Sequence, residues 1–332
     1  MGRALPVFLL ALALAAAGAA AWLEFTPYGP STETFVELDP GSSTQTIGKA
    51  LENAGIVRSS YAFDLLRLFK RGKLHAGEYR FDHPATAVAV YARIARGDIY
   101  TRALTIPEGS NIFDIATRVQ EDGFGSRQEF LEAAMSEVSL IADIDPQARS
   151  LEGYLFPDTY RFTRNVKPEQ IVGAMVKRFR AVAAQLGLSE NVHNVVTIAS
   201  LVERETAVAA ERPLVASVIE NRLRKKMPLM VDPSVIYGLK LEGMWRGTIY
   251  QSDLKRNTAY NTYLHPGLPP GPIANPGIPS LRAAMNPAAT NYLYFVAAGA
   301  DAQGRSLFAE TLDEHNRDVA SYRRAIKKAG GR

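Results

Sequence analysis

From Leu5 to Leu23 the chain runs through nineteen residues without a single charge. A run of this length can cross a bilayer as a helix. Inside lipid the backbone has no water to bond, so a helix is the form that satisfies a single such segment. Two fates are open to it. It is either a cleaved secretory signal, for which Ala19-Ala20-Ala21 offers a small-residue cleavage site, or an uncleaved anchor. The anchor is favoured, because the run exceeds a usual signal core and Trp22 sits at its end as an interface residue would. Arg3 is expected to hold the N-terminus in the cytoplasm. In both cases the remaining residues fold on the far side of the membrane.

Those remaining residues have ordinary globular composition. The 332-residue chain is 47% hydrophobic and 22% charged, enough for two or three domains with a sizeable core. The net charge is +4, and no Lys/Arg run is long enough to suggest a nucleic-acid arm. There is no cysteine, which excludes disulfides and thiolate metal sites and suits an oxidising compartment. The five histidines, His75, His83, His193, His265 and His315, do not fall at metal-ligand spacing. Neither a metal nor a cofactor is expected.

Residues 25–34 are Pro- and Gly-rich and read as a stalk after a 1–24 anchor. An internal repeat follows. Val36–Ser43 precedes a helical pattern through Ile47, Leu51 and Gly55; Leu104–Asn111 precedes one through Ile115, Val119 and Gly123. Each copy predicts a strand, a Pro/Gly turn, a helix closed by Gly, and a second helix. Strand–helix–helix modules of this size resemble the LysM domain, a peptidoglycan-binding fold, so 35–150 is expected to be a LysM-like region. A small α+β module that only positions the rest is the alternative. After Asp145-Pro146 the composition changes, and 151–332 is expected to form a mixed α+β domain.

Within 151–332, Leu151–Tyr160 mixes aromatics with acids, the means by which sugar rings are commonly gripped. A buried aromatic turn fits the same residues. Pro168 to Leu186 is amphipathic and stops at Gly187. Asp232, just before Pro233, is placed to cap a helix. A Pro-rich loop from Gly267 to Gly277 follows Tyr260-Asn261-Thr262-Tyr263, and ordered loops of this kind are often functional. Strands at Tyr292–Val296 and Ser306–Phe308 and a helix from Thr311 to Lys328 complete the chain.

The centre of the domain is the stretch from Asn194 to Lys226. Val195–Val202 is almost wholly apolar and ends on Glu203, then Arg204-Glu205-Thr206. A carboxyl at the end of a buried helix is partly desolvated, which raises its pKa toward the range of a general acid. On local pattern alone, a solvated residue or an ion pair with Arg204 or Arg212 is the commoner outcome. Glu205, two positions on, faces the other side of a continuous helix, roughly 200° away.

Taken in order, several motifs resemble one family, the endolytic murein transglycosylases (YceG-like). They are Leu151-Glu152-Gly153-Tyr154 with Pro157–Tyr160, Ala199–Glu203 with Glu205-Thr206, Asn221-Arg222-Leu223, Asp232–Gly238, Tyr260–Tyr263, Gly267–Gly277 and Glu314-His315-Asn316. The resemblance implies a single-pass enzyme of the bacterial inner membrane with its catalytic domain in the periplasm. Its α+β fold would comprise a membrane helix, LysM-like module(s) and a catalytic domain. It would cut glycan strands between N-acetylmuramic acid and N-acetylglucosamine, leave 1,6-anhydro ends, and act beside peptidoglycan synthases. The Glu203 segment matches the family's catalytic glutamate motif. Glu152, Tyr154, Asp232, Tyr237, Asn261, Tyr263 and Asn275 are the expected substrate contacts. Two alternatives remain open: a water-using glycosidase with Asp232 or Glu152 as base, and a non-catalytic wall-binding scaffold.

Overall fold

A computed structural model describes residues 4–70, 72–299 and 304–329; Arg3 and the side chain of Lys328 lie outside the described residues. The chain divides into two compact units, 1–102 and 103–332.

In the first unit, α1 (Ala4–Phe25) carries the apolar run. It is long and apolar enough to cross a membrane and is not covered by the rest of the protein. After it, β1 (Thr34–Leu38) pairs antiparallel with β2 (Gly77–Phe81), with Val36 opposite Tyr79. Helices α2 (Thr44–Asn53), α3 (Ser60–Phe69) and α4 (Ala87–Arg96) complete the unit. Leu51, Phe63, Tyr79 and Ile94 fill its core. Thr86 caps α4 by accepting from Ala89 N–H at 3.1 Å, and Gly97 closes it in the left-handed conformation.

β3 (Arg102–Thr105) begins at the last residue of the first unit and leads into the second, where α5 (Ile112–Glu121) and α6 (Arg127–Ser136) continue the other copy of the repeat. Gly41 and Gly109 have φ of 82° and 76°, and Gly55 and Gly123 both have 69°. The repeat therefore extends to the backbone conformation of its turns, which glycine adopts without the steric cost other residues meet. The boundary between compact units falls between the two copies rather than after residue 150. The reason is burial: Leu104, Ile115, Val119 and Phe130 belong to the same core as Tyr154, Phe179 and Leu201. β3 pairs with β4 (Thr159–Phe162).

The long helix α7 (Pro168–Leu186) has Pro at its start and ends at Gly187. Next comes α8 (Val192–Glu205), in which Val196 to Val202 are all buried. A helix apolar all round is a core helix, and α8 is packed by α9 (Arg212–Arg224), α10 (Asp232–Leu241) and α11 (Ile278–Met285). Full burial of each Val, Leu or Ile contributes about 1.5–3 kcal/mol. The hairpin of β5 (Tyr294–Ala297) and β6 (Ser306–Ala309) packs on the last helix, α12 (Leu312–Ala329).

Asp232 is not the cap expected of it. It is the first helical residue of α10, follows Val231 at the N-cap, and makes no capping bond. Its carboxylate accepts from Tyr263 Oη at 2.6 Å instead.

Candidate active site

The buried helix α8 delivers two carboxyls at its end, and they enter different surroundings. Glu203 has a side chain only 5% exposed, and both of its oxygens are engaged. Arg212 Nη2 donates to Oε1 at 2.9 Å, and the backbone N–H of Gly277 donates to Oε2 at 3.0 Å. Glu108, from the turn after β3, shares this corner, with its Oε2 3.8 Å from Arg212 Nη2. Burial and the Glu203 charge raise the Glu108 pKa, against the pull of Arg212. The Glu108 carboxyl lies directly over Gly277, so a Cβ there would push that side chain aside. Glu203 thus ties the Pro-rich loop to α8. Ser200 makes the second tie, accepting from Ile273 N–H at 3.1 Å. The expectation of Glu203 as an acid beside a cleft meets a side chain enclosed by partners; the ion pair with Arg212, the commoner outcome for such a residue, is what forms.

Glu205 lies on the other side. It lines a cleft of about 510 Å³ together with Arg222, Met230, Asp232, Tyr263 and His315. Burial pushes its pKa up to about 7, helped by the Asp232 charge and opposed by Arg222 and Arg204. Its position as the last residue of α8 works in the same direction, because the C-terminal end of a helix dipole disfavours an anion. Arg222 is held in the wall: Nε donates to Leu293 O at 2.7 Å and Nη1 to Leu229 O at 2.8 Å. The Arg222 guanidinium lies 5.3 Å from the centre of the Tyr294 ring, and Tyr294 stacks on His315. Among the described residues the buried His315 Nδ1 has no hydrogen-bond partner, and burial and the Arg222 charge lower its pKa. A carboxyl poised near neutrality, a second carboxylate and a fixed guanidinium in one cleft can move a proton at a polar bond.

Of the expected substrate contacts, Asp232 and Tyr263 line this cleft. The other five are buried and do not line it. Glu152 accepts from Ile112 N–H and from Asn275 Nδ2, both at 2.9 Å. Asn275 also donates to Ser110 O and accepts from Leu155 N–H, so the pair joins three segments. Burial raises the Glu152 pKa to about 8. Tyr237 hydrogen-bonds Glu152 and packs between Phe113 and Tyr260. Tyr154 Oη donates to the buried Asp145. Asn261 donates to the carbonyls of Leu254 and Arg256 and accepts from Tyr263 N–H, which fixes the segment carrying Tyr263. Their polar atoms are occupied inside the protein.

Residues sequence reasoning missed are Glu205, Arg222 and His315. The signal for Glu205 was present in the two-residue offset, which sends it to the face opposite Glu203. Arg222 and His315 sit in quoted motifs, but nothing local says that helices 90 residues apart converge. Among the described residues, no group of three or more His, Cys, Asp or Glu is placed to hold a metal ion.

Comparison with known proteins agrees along nearly the whole chain. A protein of Bacillus subtilis named endolytic murein transglycosylase is 32% identical over 88% of this chain and 85% of its own length. A Streptococcus pneumoniae protein of the same name is 28% identical over 95% of this chain, which spans 64% of that protein. The 2.6 Å crystal structure of a yceG-like protein from Listeria monocytogenes superposes with a TM-score of 0.56 at 32% identity, over 87% of this chain and 99% of that one. The profile of the YceG-like family matches residues 36–321, and the chain is a member of that family.

Proposed function

We propose that this protein is an endolytic lytic transglycosylase of peptidoglycan, with Glu205 as its catalytic acid and base. The observation that carries the assignment is the Glu205 carboxyl, half-buried in the wall of a cleft, where desolvation raises its pKa to about 7. At neutral pH such a group exists in both forms, and each has a task. The protonated form gives its proton to the glycosidic oxygen between N-acetylmuramic acid and N-acetylglucosamine as the C1–O bond breaks. The carboxylate left behind takes the proton from the 6-hydroxyl of the same muramic ring as that oxygen bonds to C1. No water is consumed, and the product ends in a 1,6-anhydro sugar. Because the nucleophile is tethered, much of the entropic cost of bringing it in is absent. Asp232 lies near enough to raise the Glu205 pKa and supplies negative charge to an oxocarbenium-like centre, while Tyr263 fixes its carboxylate.

The relatives named endolytic murein transglycosylase support peptidoglycan as substrate. With α1 as anchor, the cleft would work outside the bacterial inner membrane on strands newly made by peptidoglycan synthases, ending their growth. The repeat around β1 supports a LysM-like, glycan-holding role for the first unit.

The test is mass spectrometry of strands digested by the wild type, Glu205→Gln and Glu203→Gln. Anhydro ends from the wild type and their loss in Glu205→Gln are expected. The pairing of Asp232 with Glu205 in one cleft favours one second possibility, a water-using glycosidase, since such enzymes place two carboxyls about the bond. Reducing ends would establish it.

A further inference from the structure

A second cavity, of about 340 Å³, opens between α5 and the far end of α10. The mechanism above makes no use of it. Phe113, Asp114, Thr117, Arg127, Lys240 and Trp245 line it. Lys240 Nζ donates to Asp114 Oδ1 at 2.8 Å. Trp245 and Phe113 are both half-buried, so part of each ring remains accessible. Aromatic faces beside cations suit a sugar ring that carries a carboxylate.

The cavity is tied to the Glu205 cleft by one helix. Pro233, at the start of α10, lines the cleft, and Lys240, seven residues on, lines the second cavity. Seven residues return a helix almost to the same face, about 10 Å further along its axis. Ile236 stands between them, also half-buried, whereas Ser234, Val235, Tyr237, Gly238 and Leu239 are buried. Pro233, Ile236 and Lys240 therefore form a continuous, partly exposed stripe from one opening to the other.

We infer that this stripe is a track for a glycan strand, with a distal subsite at Trp245 for a carboxylate-bearing amino sugar. The inference rests on the polymer substrate proposed above. One sugar stacks on Trp245, and its carboxylate displaces Asp114 from Lys240 or pairs with Arg127. The carboxylate comes either from the sugar's own lactyl group or from an attached peptide. Two grips separated along one strand favour long strands over short ones, which is the requirement for internal cutting.

Trp245 and Trp22 are the two tryptophans of the chain. The full-length Glu205→Gln/Trp22→Phe protein in detergent therefore reports on Trp245 by its own emission. It is titrated with peptidoglycan disaccharide and with octasaccharide strands, with and without peptide, and binding is followed in parallel by calorimetry. Octasaccharides are expected to bind about tenfold more tightly than the disaccharide and to shift Trp245 emission. Adding Lys240→Glu is expected to remove most of that preference. Dependence on peptide would identify the stem as the source of the carboxylate, and independence the lactyl group; the subsite holds in both cases. Octasaccharide binding with unchanged Trp245 emission and an unchanged preference in Lys240→Glu overturns the subsite but leaves the proposed function standing. No calorimetric binding of any strand overturns both.

Discussion

Glu203 and Glu205, two residues apart at the end of α8, send their carboxyls to opposite sides of one helix, the first into an ion pair with Arg212 and the second into a cleft. Substituting each in turn separates their roles. Glu205→Gln keeps shape and removes the transferable proton, so turnover should fall by about 10²–10⁴-fold with the fold intact. Glu203→Ala leaves Arg212 without its closest partner, and losing one member of a buried pair costs about 3–5 kcal/mol. Nearby Glu108 moderates this toward the lower end. Thermal unfolding and single-turnover cleavage, measured on both variants, check the assignment. A Glu205→Gln protein of wild-type activity would remove Glu205 from the mechanism.

Asp232 is expected to tune that acid. Its charge helps hold the Glu205 proton, so Asp232→Asn should lower the pKa of Glu205. A general acid works when protonated, and its activity falls as pH rises through its pKa. The alkaline limb of kcat/KM, near pH 7 in the wild type, should move to lower pH in Asp232→Asn. Tyr263→Phe should act in the opposite direction, because Asp232 loses the donor that shares its charge. Limbs that coincide in all three proteins would mean that the two carboxyls do not interact.

The same proton appears in stability. Glu205 has a folded-state pKa of about 7 against an ordinary 4.5. Below pH 4.5 both states are protonated and the group is neutral to folding. Between 4.5 and 7 the unfolded chain releases its proton first, so stability is lost as pH rises. Above pH 7 the full penalty applies, about 3 kcal/mol at roughly 1.4 kcal/mol per pKa unit. Glu152, raised to about 8, adds a loss of the same sign over a slightly wider window. In urea titrations, Glu205→Gln should gain on the wild type from pH 4.5 to 7 and hold a constant lead above. A lead that does not change with pH would show that Glu205 is not desolvated.

How far the sequence reached follows from the range over which each feature is determined. The helix Pro168–Leu186 was legible because its period and its stop at Gly187 are local, and the core of Val192–Glu205 because Val195–Val202 is an apolar run. The repeat was legible down to Gly41 and Gly109, because a positive φ leaves a residue-type signature. The division between the compact units was not, because Leu104 and Phe130 are apolar wherever they pack, and their partners Tyr154 and Phe179 lie far along the chain. The motif Leu151–Tyr160 suits either a sugar grip or a buried aromatic turn on its residues alone. Glu152 and Tyr154 satisfy buried donors and acceptors, and for Glu152 that demand appears only once Ser110 and Asn275 are brought together. Glu203 was singled out because it ends the apolar run. Burial alone does not distinguish an acid facing an arginine from one facing a cleft, and Arg212 becomes its partner only through the turn between α8 and α9.

Asn275 tests whether a buried motif residue supports the fold or contacts substrate. It lies at the centre of the buried network: Nδ2 donates to Ser110 O and Glu152 Oε1, and Oδ1 accepts from Leu155 N–H at 2.8 Å. Asn275→Ala leaves those groups without partners in a place water does not reach, and each costs about 1–3 kcal/mol. A loss of several kcal/mol is therefore expected, measured as a lower urea midpoint. The part of the population that remains folded should keep a KM for glycan near that of the wild type, because no atom of Asn275 opens to the cleft. If stability is unchanged and KM rises tenfold or more, Asn275 touches substrate directly.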